Sequence, residues 1–259
     1  MQIFAESLNR IRAFLDLEHK GMNLMPIVTK NQQFDETLLS DFNKITTWLA
    51  EHVEVKFINI IFHIENTSIP TFTAKEDYLH FRKQASTFFS SLKNLPQIVI
   101  IDFKGDFDSI WSEFIYHCDF SIARYDTVFN FNHLQRGILP VSQETHNISS
   151  LLKNIFLTSQ TLSAEDLSRR TGLVEIYSDE RHRTKIIGKI KKNIFLSSPT
   201  CAIQLKHAFN GQNDENYQNI VHYTFLNRDW EKKERFSSVH EMKELLSKRT
   251  SPEKNEIRH

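Results

Sequence analysis

The chain has 259 residues, which is enough for one large domain or for a domain with a smaller appendage. Lysine plus arginine and aspartate plus glutamate number 32 each, so no net positive field favours nucleic acid as a partner. Two cysteines, Cys118 and Cys201, and no Cys-x-x-Cys pair exclude a disulfide framework and a cysteine-ligated zinc site.

The N-terminus does not have the pattern of a signal peptide, because residues 1–20 contain an acid at Glu6 and no long apolar segment. No run of about 18 apolar residues occurs in the chain, so no membrane span is predicted. We therefore expect a cytoplasmic protein in which both cysteines are small buried apolar side chains.

Amphipathic helices and short apolar strands alternate through the first half of the chain. They are a helix over 35–52, a strand over 55–62, a helix over 75–92, a strand over 97–103, a short helix over 109–117 and a strand over 119–123. A polar loop with Pro70 is predicted between the first strand and the second helix. Strands separated by helices favour right-handed βαβ units, so the fold class is α/β with a largely parallel sheet.

The last third of the chain has helical patterns alone. Ser163 with Asp166 is a predicted capping box, and Gly172 is a predicted helix stop. Helices are predicted over 198–211, 215–230 and 237–249. We expect an α/β core over 1–180, a helical lobe over 181–250 and a polar tail over 251–259. The basic stretch 181–192 is interpreted as a solvated helix face, with a phosphate-binding patch as the alternative.

Residues 104–140 contain a series of spaced residues that together resemble a family signature. The matching residues are Gly105, Glu113, Cys118, Asp119, Ala123, Phe129, Gly137 and Pro140. Their order and spacing resemble the signature of the crotonase (enoyl-CoA hydratase/isomerase) superfamily, N-G-x-x-x-G-G-G-x-E-L-x-x-x-C-D-x-x-x-A followed by a phenylalanine and G-x-x-P. The string FTAKED over 72–77 stands at the place of the family's F-S-A-G-A-D, and 157–174 resembles a further family segment. The resemblance covers about 27–177.

The resemblance implies a spiral of ββα units with a C-terminal helical lobe, assembled as a homotrimer or hexamer. It also implies an acyl-CoA or acyl-carrier thioester as substrate, with no further cofactor. Two backbone N–H groups would hold the thioester oxygen as it becomes an enolate, and they fall on Glu76 and Ile110. Glu113 takes the place of the first catalytic glutamate, and His133 replaces the second.

Three glycines of the family signature are absent, since Ser109, Ile110 and Trp111 stand in their place. We expect their Cβ atoms and the indole ring to crowd the thioester. Asp106 and Asp108 precede the same helix and would disfavour an anion if they pointed inward, whereas capping or solvent exposure is the alternative.

The proton-transfer pair also has two interpretations. A glutamate and a histidine could divide the handling of a water, because a histidine of ordinary pKa accepts or donates near neutrality. Alternatively, Glu113 points to solvent and His133 is a hydrogen-bonded core residue. Nothing in the sequence resembles a phosphate loop or a metal-ligand motif, so no metal site is expected.

Three functions remain open on this sequence. The first is an acyl-thioester hydratase or isomerase, for which thioester cleavage is a related possibility. The second is a catalytically degenerate crotonase-fold subunit that assists a partner enzyme or binds an acyl thioester. The third is a purely structural protein. One fold hosts many chemistries, so the resemblance does not choose among them.

Overall fold

The computed structural model of the chain describes residues 8–16, 21–27, 32–52, 55–141 and 150–196, together with residue 206. The chain divides into two compact units, residues 1–187 and 188–259. The elements described below belong to the first unit, apart from the end of the last helix. No described helix is both long enough and apolar enough to cross a membrane.

A largely parallel sheet organises the first unit. Its described strands are β1 Ile11–Asp16, β2 Gly21–Pro26, β3 Gln32–Gln33, β4 Phe57–Ser68, β5 Ile98–Asp108, β6 Phe120–Arg124, β7 Val128–Asn130, β8 Thr161–Ser163 and β9 Val174–Tyr177. The order across the sheet is β1-β2-β4-β5-β6-β9, with β3 beside β4 and β7 beside β5 and β8. Pairs from β2 to β9 along this path are parallel, while β1–β2 and β7–β8 are antiparallel. The predicted α/β class with a mainly parallel sheet is confirmed.

Helices lie between the strands, as the sequence predicts. The described α-helices are α1 Glu36–Glu51, α2 Lys75–Asn94, α3 Ile110–Glu113, α4 Ser150–Leu157, α5 Ala164–Thr171 and α6 Glu180–Leu196. A single 3-10 turn, Phe114–Tyr116, continues α3. Asp35 caps α1 by accepting a hydrogen bond from the Leu38 amide at 2.9 Å. Ser163 caps α5 through the Asp166 amide at 3.1 Å, and Gly172 ends it in the left-handed conformation, so the predicted cap and stop are confirmed.

The core between the sheet and helices α1 and α2 is unusually aromatic. Phe114 lies at its centre, with ring centroids 4.8 Å from Phe62 and 4.9 Å from Phe89. Trp111 packs edge-on against Phe34 at 5.2 Å. All five side chains are fully buried. Burial of each such ring contributes about 1.5–3 kcal/mol, so a core of this kind supplies much of the driving force for folding.

Strands β4 and β5 extend beyond their predicted ends, and the loop predicted for residues 64–68 is therefore wrong. The register shifts between His63 and Asn66, so Gly105 of β5 lies opposite an irregularity in β4. Gly105 has a φ of +123°, and a Cβ built on it would lie 1.5 Å from the carbonyl oxygen of Ile64. Only glycine fits this bulge, after which parallel pairing resumes.

A buried carboxylate, Asp102 of β5, connects two strands to the start of α6. Its Oδ2 lies 3.0 Å from Nε2 of His63 on β4 and forms an ion pair with Arg183 of α6. Burial acts to lower the pKa of Arg183, but the negative charge of Asp102 raises it. Burial first, and then Asp102, raise the pKa of Tyr177 at the end of β9. Arg183 is thus a half-buried, ion-paired residue within the predicted basic face of 181–192.

The predictions for the basic stretch, the two cysteines and the C-terminal helices can be compared with the structure only where it describes those residues. Arg181, Lys185, Lys189 and Lys192 of the basic stretch are exposed, as expected for a solvated helix face. Cys118 is half-buried, not fully buried as predicted, because it follows the 3-10 turn at the edge of the core. Cys201, the helices predicted over 198–211, 215–230 and 237–249, and the polar tail lie outside the described residues, apart from residue 206.

Candidate active site

Glu113 is positioned by a sharp turn at the end of β5. Ser109 follows the strand with a φ of 44° and a ψ of −108°, angles near the first central position of a type II′ turn, where glycine dominates. Its amide donates to the carbonyl of Asn130 at 2.8 Å. Its hydroxyl lies 2.6 Å from Oδ1 of Asn132 and 3.1 Å from Oδ1 of Asp108. These contacts hold the strained residue in place, so α3 begins at once and carries Glu113 on its last residue.

Glu113 and His133, 20 residues apart in the chain, form a hydrogen-bonded pair. Nε2 of His133 lies 2.9 Å from Oε1 of Glu113. The exposed fraction is 0% for Glu113 and 1% for His133. The Val141 amide donates to both carboxylate oxygens, at 3.0 Å to Oε1 and 2.9 Å to Oε2. The alternative in which Glu113 points to solvent is therefore wrong.

His133 begins a turn that follows β7. The turn is closed by hydrogen bonds from the amides of Arg136 and Ile138 to the carbonyl of His133, at 3.1 and 3.0 Å. The imidazole packs against the ring of Phe156 with centroids 5.0 Å apart. Nδ1 of His133 has no hydrogen-bond partner among the described residues.

Tyr116 adds a third titratable group beside this pair. Burial, and then the charge of the nearby Glu113, raise the pKa of its hydroxyl well above the ordinary tyrosine value. Its ring packs against Phe156 at 5.6 Å, so Tyr116 and His133 share one aromatic neighbour. Because the pair is buried and the Phe156 ring packs against His133, its electrostatic interactions are stronger than they would be in water.

The two predicted enolate-binding amides both lie in the first turns of helices. Glu76 is exposed in the first turn of α2, whose N-cap residue Ala74 makes no side-chain capping bond. Ile110 is buried and begins α3. First-turn amides have no partner within their helix, so both groups are of the right type to bind an oxyanion. Their joint action on one ligand stays a prediction.

Trp111 does not lie at the predicted thioester site. The indole was expected to crowd a thioester, but it is fully buried in the aromatic core. Its Nε1–H donates to the carbonyl of Ser68 at 3.0 Å, and its ring lies 5.4 Å from Phe62. A buried indole needs an acceptor for its N–H group, and the extended end of β4 supplies one.

Asp108 is buried, so the solvent-facing alternative is wrong for it, while Asp106 is exposed. The charge of Asp108 is compensated, because its carboxylate forms an ion pair with Arg136. It also accepts from the Ser109 hydroxyl. An inward acid that is paired in this way imposes a smaller penalty on a nearby anion than an unpaired one.

A cleft of about 470 Å³ lies between the segment 69–75 and the turn 136–138. Phe72 and Tyr78 form its aromatic wall, with ring centroids 5.4 Å apart, and Lys75 and Arg136 add positive charge. Tyr78 accepts a hydrogen bond from the Leu139 amide at 3.0 Å. Glu113 and His133 do not line this cleft, although the turn that begins at His133 forms one of its sides. Among the described residues, no group of three or more His, Cys, Asp or Glu could hold a metal ion.

Solved structures match this architecture over most of both chains. An enoyl-CoA hydratase from Bacillus anthracis matches with a TM-score of 0.70 and 17% identity, covering 96% of this chain and 100% of that one. An enoyl-CoA hydratase from Mycobacterium smegmatis matches at 0.70 and 15%, covering 85% and 91%. Pseudomonas aeruginosa DspI matches at 0.73 and 14%, covering 86% and 91%. The chain has the crotonase fold. No family model and no curated protein sequence matches it.

The crotonase resemblance inferred from residues 104–140 is thus confirmed at the level of the fold. Two features of the site had no sequence prediction, the Val141 amide and the Tyr116 hydroxyl. Val141 directly follows the Gly137–Pro140 motif, which could have pointed to it. Tyr116 had no such signal, because its approach to Glu113 depends on the 3-10 turn that follows α3.

Proposed function

We propose that the chain is an acyl-thioester hydratase or isomerase in which Glu113 and His133 together transfer the proton. The observation that carries the proposal is the buried 2.9 Å hydrogen bond between these two side chains. General acid–base catalysis needs a group that can both accept and donate a proton near the working pH. A buried carboxylate–imidazole pair offers two groups of this kind in one site. The enoyl-CoA hydratases among the matching structures favour an enoyl thioester as substrate.

The chemistry needs a place for the negative charge that develops on the thioester oxygen. The first-turn amides of Glu76 and Ile110 are the proposed donors, because oriented backbone N–H groups stabilise an enolate without reorganising. The acyl group is proposed to enter by the cleft beside Phe72 and Tyr78, whose rings offer apolar contact. The thioester is carried by coenzyme A or an acyl carrier protein, and no further cofactor is required.

The proposed location, pathway and assembly of the protein follow from its resemblance to the crotonase superfamily. We expect a cytoplasmic enzyme of fatty-acid metabolism, with lyase or isomerase activity, that assembles as a homotrimer or hexamer. Light scattering of the purified chain would measure its mass against the 30.5 kDa of one copy.

The test is turnover of a panel of 2-enoyl and 3-enoyl coenzyme A thioesters of increasing chain length. Hydration removes the ultraviolet absorbance of the conjugated enoyl thioester, and isomerisation of a 3-enoyl substrate creates it. Glu113→Gln should lower kcat by about 10²–10⁴-fold, the range for loss of acid–base catalysis. Glu165→Gln, which changes an exposed glutamate in the same way, should leave kcat unchanged.

Two outcomes would contradict the proposal. Full activity of Glu113→Gln would remove Glu113 from the mechanism. No turnover across the panel, combined with saturable binding of an acyl thioester by calorimetry, would instead assign the chain to the accessory, catalytically degenerate class.

A further inference from the structure

The Glu113–His133 pair is not symmetrical in its hydrogen bonds. Both carboxylate oxygens of Glu113 accept from the Val141 amide, and Oε1 also contacts Nε2 of His133. The single Val141 N–H is shared between the two oxygens, so the carboxylate acts as an acceptor at both of them.

These contacts in turn fix the tautomer of His133. Because the oxygen atoms of Glu113 act as acceptors, Nε2 must carry the hydrogen of the 2.9 Å bond. In the neutral imidazole Nδ1 then holds a lone pair and no proton. Nδ1 is buried and has no hydrogen-bond partner among the described residues, which leaves it able to accept a proton.

We infer that Nδ1 of His133 is the atom that exchanges the proton with substrate, and that Glu113 is a positioning residue that holds the imidazole in this tautomer. The inference rests on the proposed function and reverses the roles expected from the sequence, where Glu113 leads and His133 assists. Glu113 stabilises the imidazolium that forms, and its rigid bonds to Val141 prevent it from turning toward a substrate.

The proton balance is complete in a hydration. Nδ1 takes a proton from water as the water oxygen forms a bond to C3 of the 2-enoyl thioester. The π electrons move to C2 and the thioester oxygen, giving the enolate. The imidazolium then returns the proton to C2, so one molecule of water is added and His133 is neutral again. Tyr116 lies near Glu113, and burial followed by the charge of Glu113 raises the pKa of the tyrosine, which keeps its hydroxyl neutral.

The first measurement is spectroscopic and needs no substrate. Long-range ¹H–¹⁵N correlation spectra of the ¹⁵N-labelled chain distinguish the two neutral tautomers of each of the 12 histidines. The signals lost in His133→Gln identify His133. We expect a protonated Nε2 and an unprotonated Nδ1 in the unsubstituted chain, and a mixture of tautomers in Glu113→Gln. A resting state with a proton on Nδ1 would overturn the inference.

The second measurement is kinetic and compares the two variants on the best substrate of the panel. His133→Gln should lose at least as much kcat as Glu113→Gln, with KM little changed, and the double variant should be no worse than His133→Gln. His182→Gln, at an exposed histidine, should retain full activity. Circular dichroism checks that each variant is folded.

The outcomes separate the two proposals. If His133→Gln kept more than a tenth of kcat while Glu113→Gln abolished it, His133 would only assist, and this inference would fall while the proposed function stood. Absence of turnover in the unsubstituted chain would overturn both. If Glu113→Gln failed to fold, Glu113→Asp would replace it, with the same expected order of losses.

Discussion

Restoring the small residue that the family signature has at position 111 should unfold much of the protein. Trp111 occupies that position, and a thioester-binding role would lead one to expect that a smaller side chain improves access. The structure predicts a different result, because the indole fills the core and not the site. The informative substitution is Trp111→Ala, which removes the ring without adding the backbone freedom of glycine.

The magnitude has two parts. Truncating a fully buried tryptophan to alanine costs about 3–5 kcal/mol, because rings such as those of Phe34 and Phe62 lose a partner and a cavity remains. The 3.0 Å hydrogen bond to the Ser68 carbonyl is also lost, which costs about 0.5–1.5 kcal/mol more, since that carbonyl still accepts from the Phe34 amide. The sum of about 3.5–6.5 kcal/mol is comparable to the whole stability of a typical domain, about 5–15 kcal/mol.

The assay is urea unfolding followed by far-ultraviolet circular dichroism, since tryptophan fluorescence changes with the substitution itself. With an m-value of about 3 kcal/mol/M, the midpoint should fall by roughly 1.2–2.2 M. Trp111→Phe keeps a ring but loses the N–H group, so its unfolding midpoint should lie between those of Trp111→Ala and the unsubstituted chain. Trp48→Ala, at a half-buried tryptophan, should lower the midpoint less. A midpoint unchanged in Trp111→Ala would refute the placement of the indole.

Three further predictions concern the fold around the site. Asp102→Asn should destabilise the chain by about 3 kcal/mol in urea unfolding, because Arg183 loses the partner of a buried ion pair. Gly105→Ala should lower the unfolding temperature by several degrees, since a Cβ would lie 1.5 Å from the Ile64 carbonyl oxygen. Tyr116 has a pKa raised in the folded state, so its contribution to stability is complete below about pH 10, the unfolded pKa, and is lost as pH rises further, by about 1.4 kcal/mol per pH unit. Tyr116→Phe should therefore flatten the alkaline side of the stability–pH curve.

Each of these has a matched control. Asp126→Asn changes a surface ion pair and should shift stability by less than 1 kcal/mol. Gly188→Ala adds a Cβ that meets nothing within 4 Å and should not lower the unfolding temperature. Tyr125→Phe, at a tyrosine that is 57% exposed, should leave the pH curve unchanged. If a control variant matched its test variant, the local explanation would be wrong.

The regular elements of the fold were predictable where local patterns and tertiary packing agree. Helices α1 and α2 have apolar stripes that the core buries, so their predicted and observed bounds differ by only one or two residues. The extension of β4 to Ser68 was not predictable, because it depends on a bulge across the strand pair and not on local propensity. The short strand β7 is also stabilised by pairing with distant strands, and its three residues show no pattern of their own.

The family signature contains two groups of residues, some that stabilise the fold and some that form the candidate site. Several of its residues serve the fold: the Asp119 carboxylate accepts from the Val99 amide at 2.8 Å, and Ala123 and Phe129 are fully buried. Glu113 and His133, which the resemblance places at the two catalytic positions, form a hydrogen-bonded pair. The direction of the indole and the contact with Val141 could not be predicted, because each depends on partners that are distant in sequence.

Ser109 explains how so little identity can coexist with so much shared architecture. A serine has replaced the residue best suited to a φ of 44°, yet the backbone keeps that value, secured by Asn130 and Asn132. A main-chain conformation that suits glycine can therefore be held by a serine when neighbouring polar groups support it. A comparison of residue types cannot recognise such a position, whereas a comparison of Cα traces can.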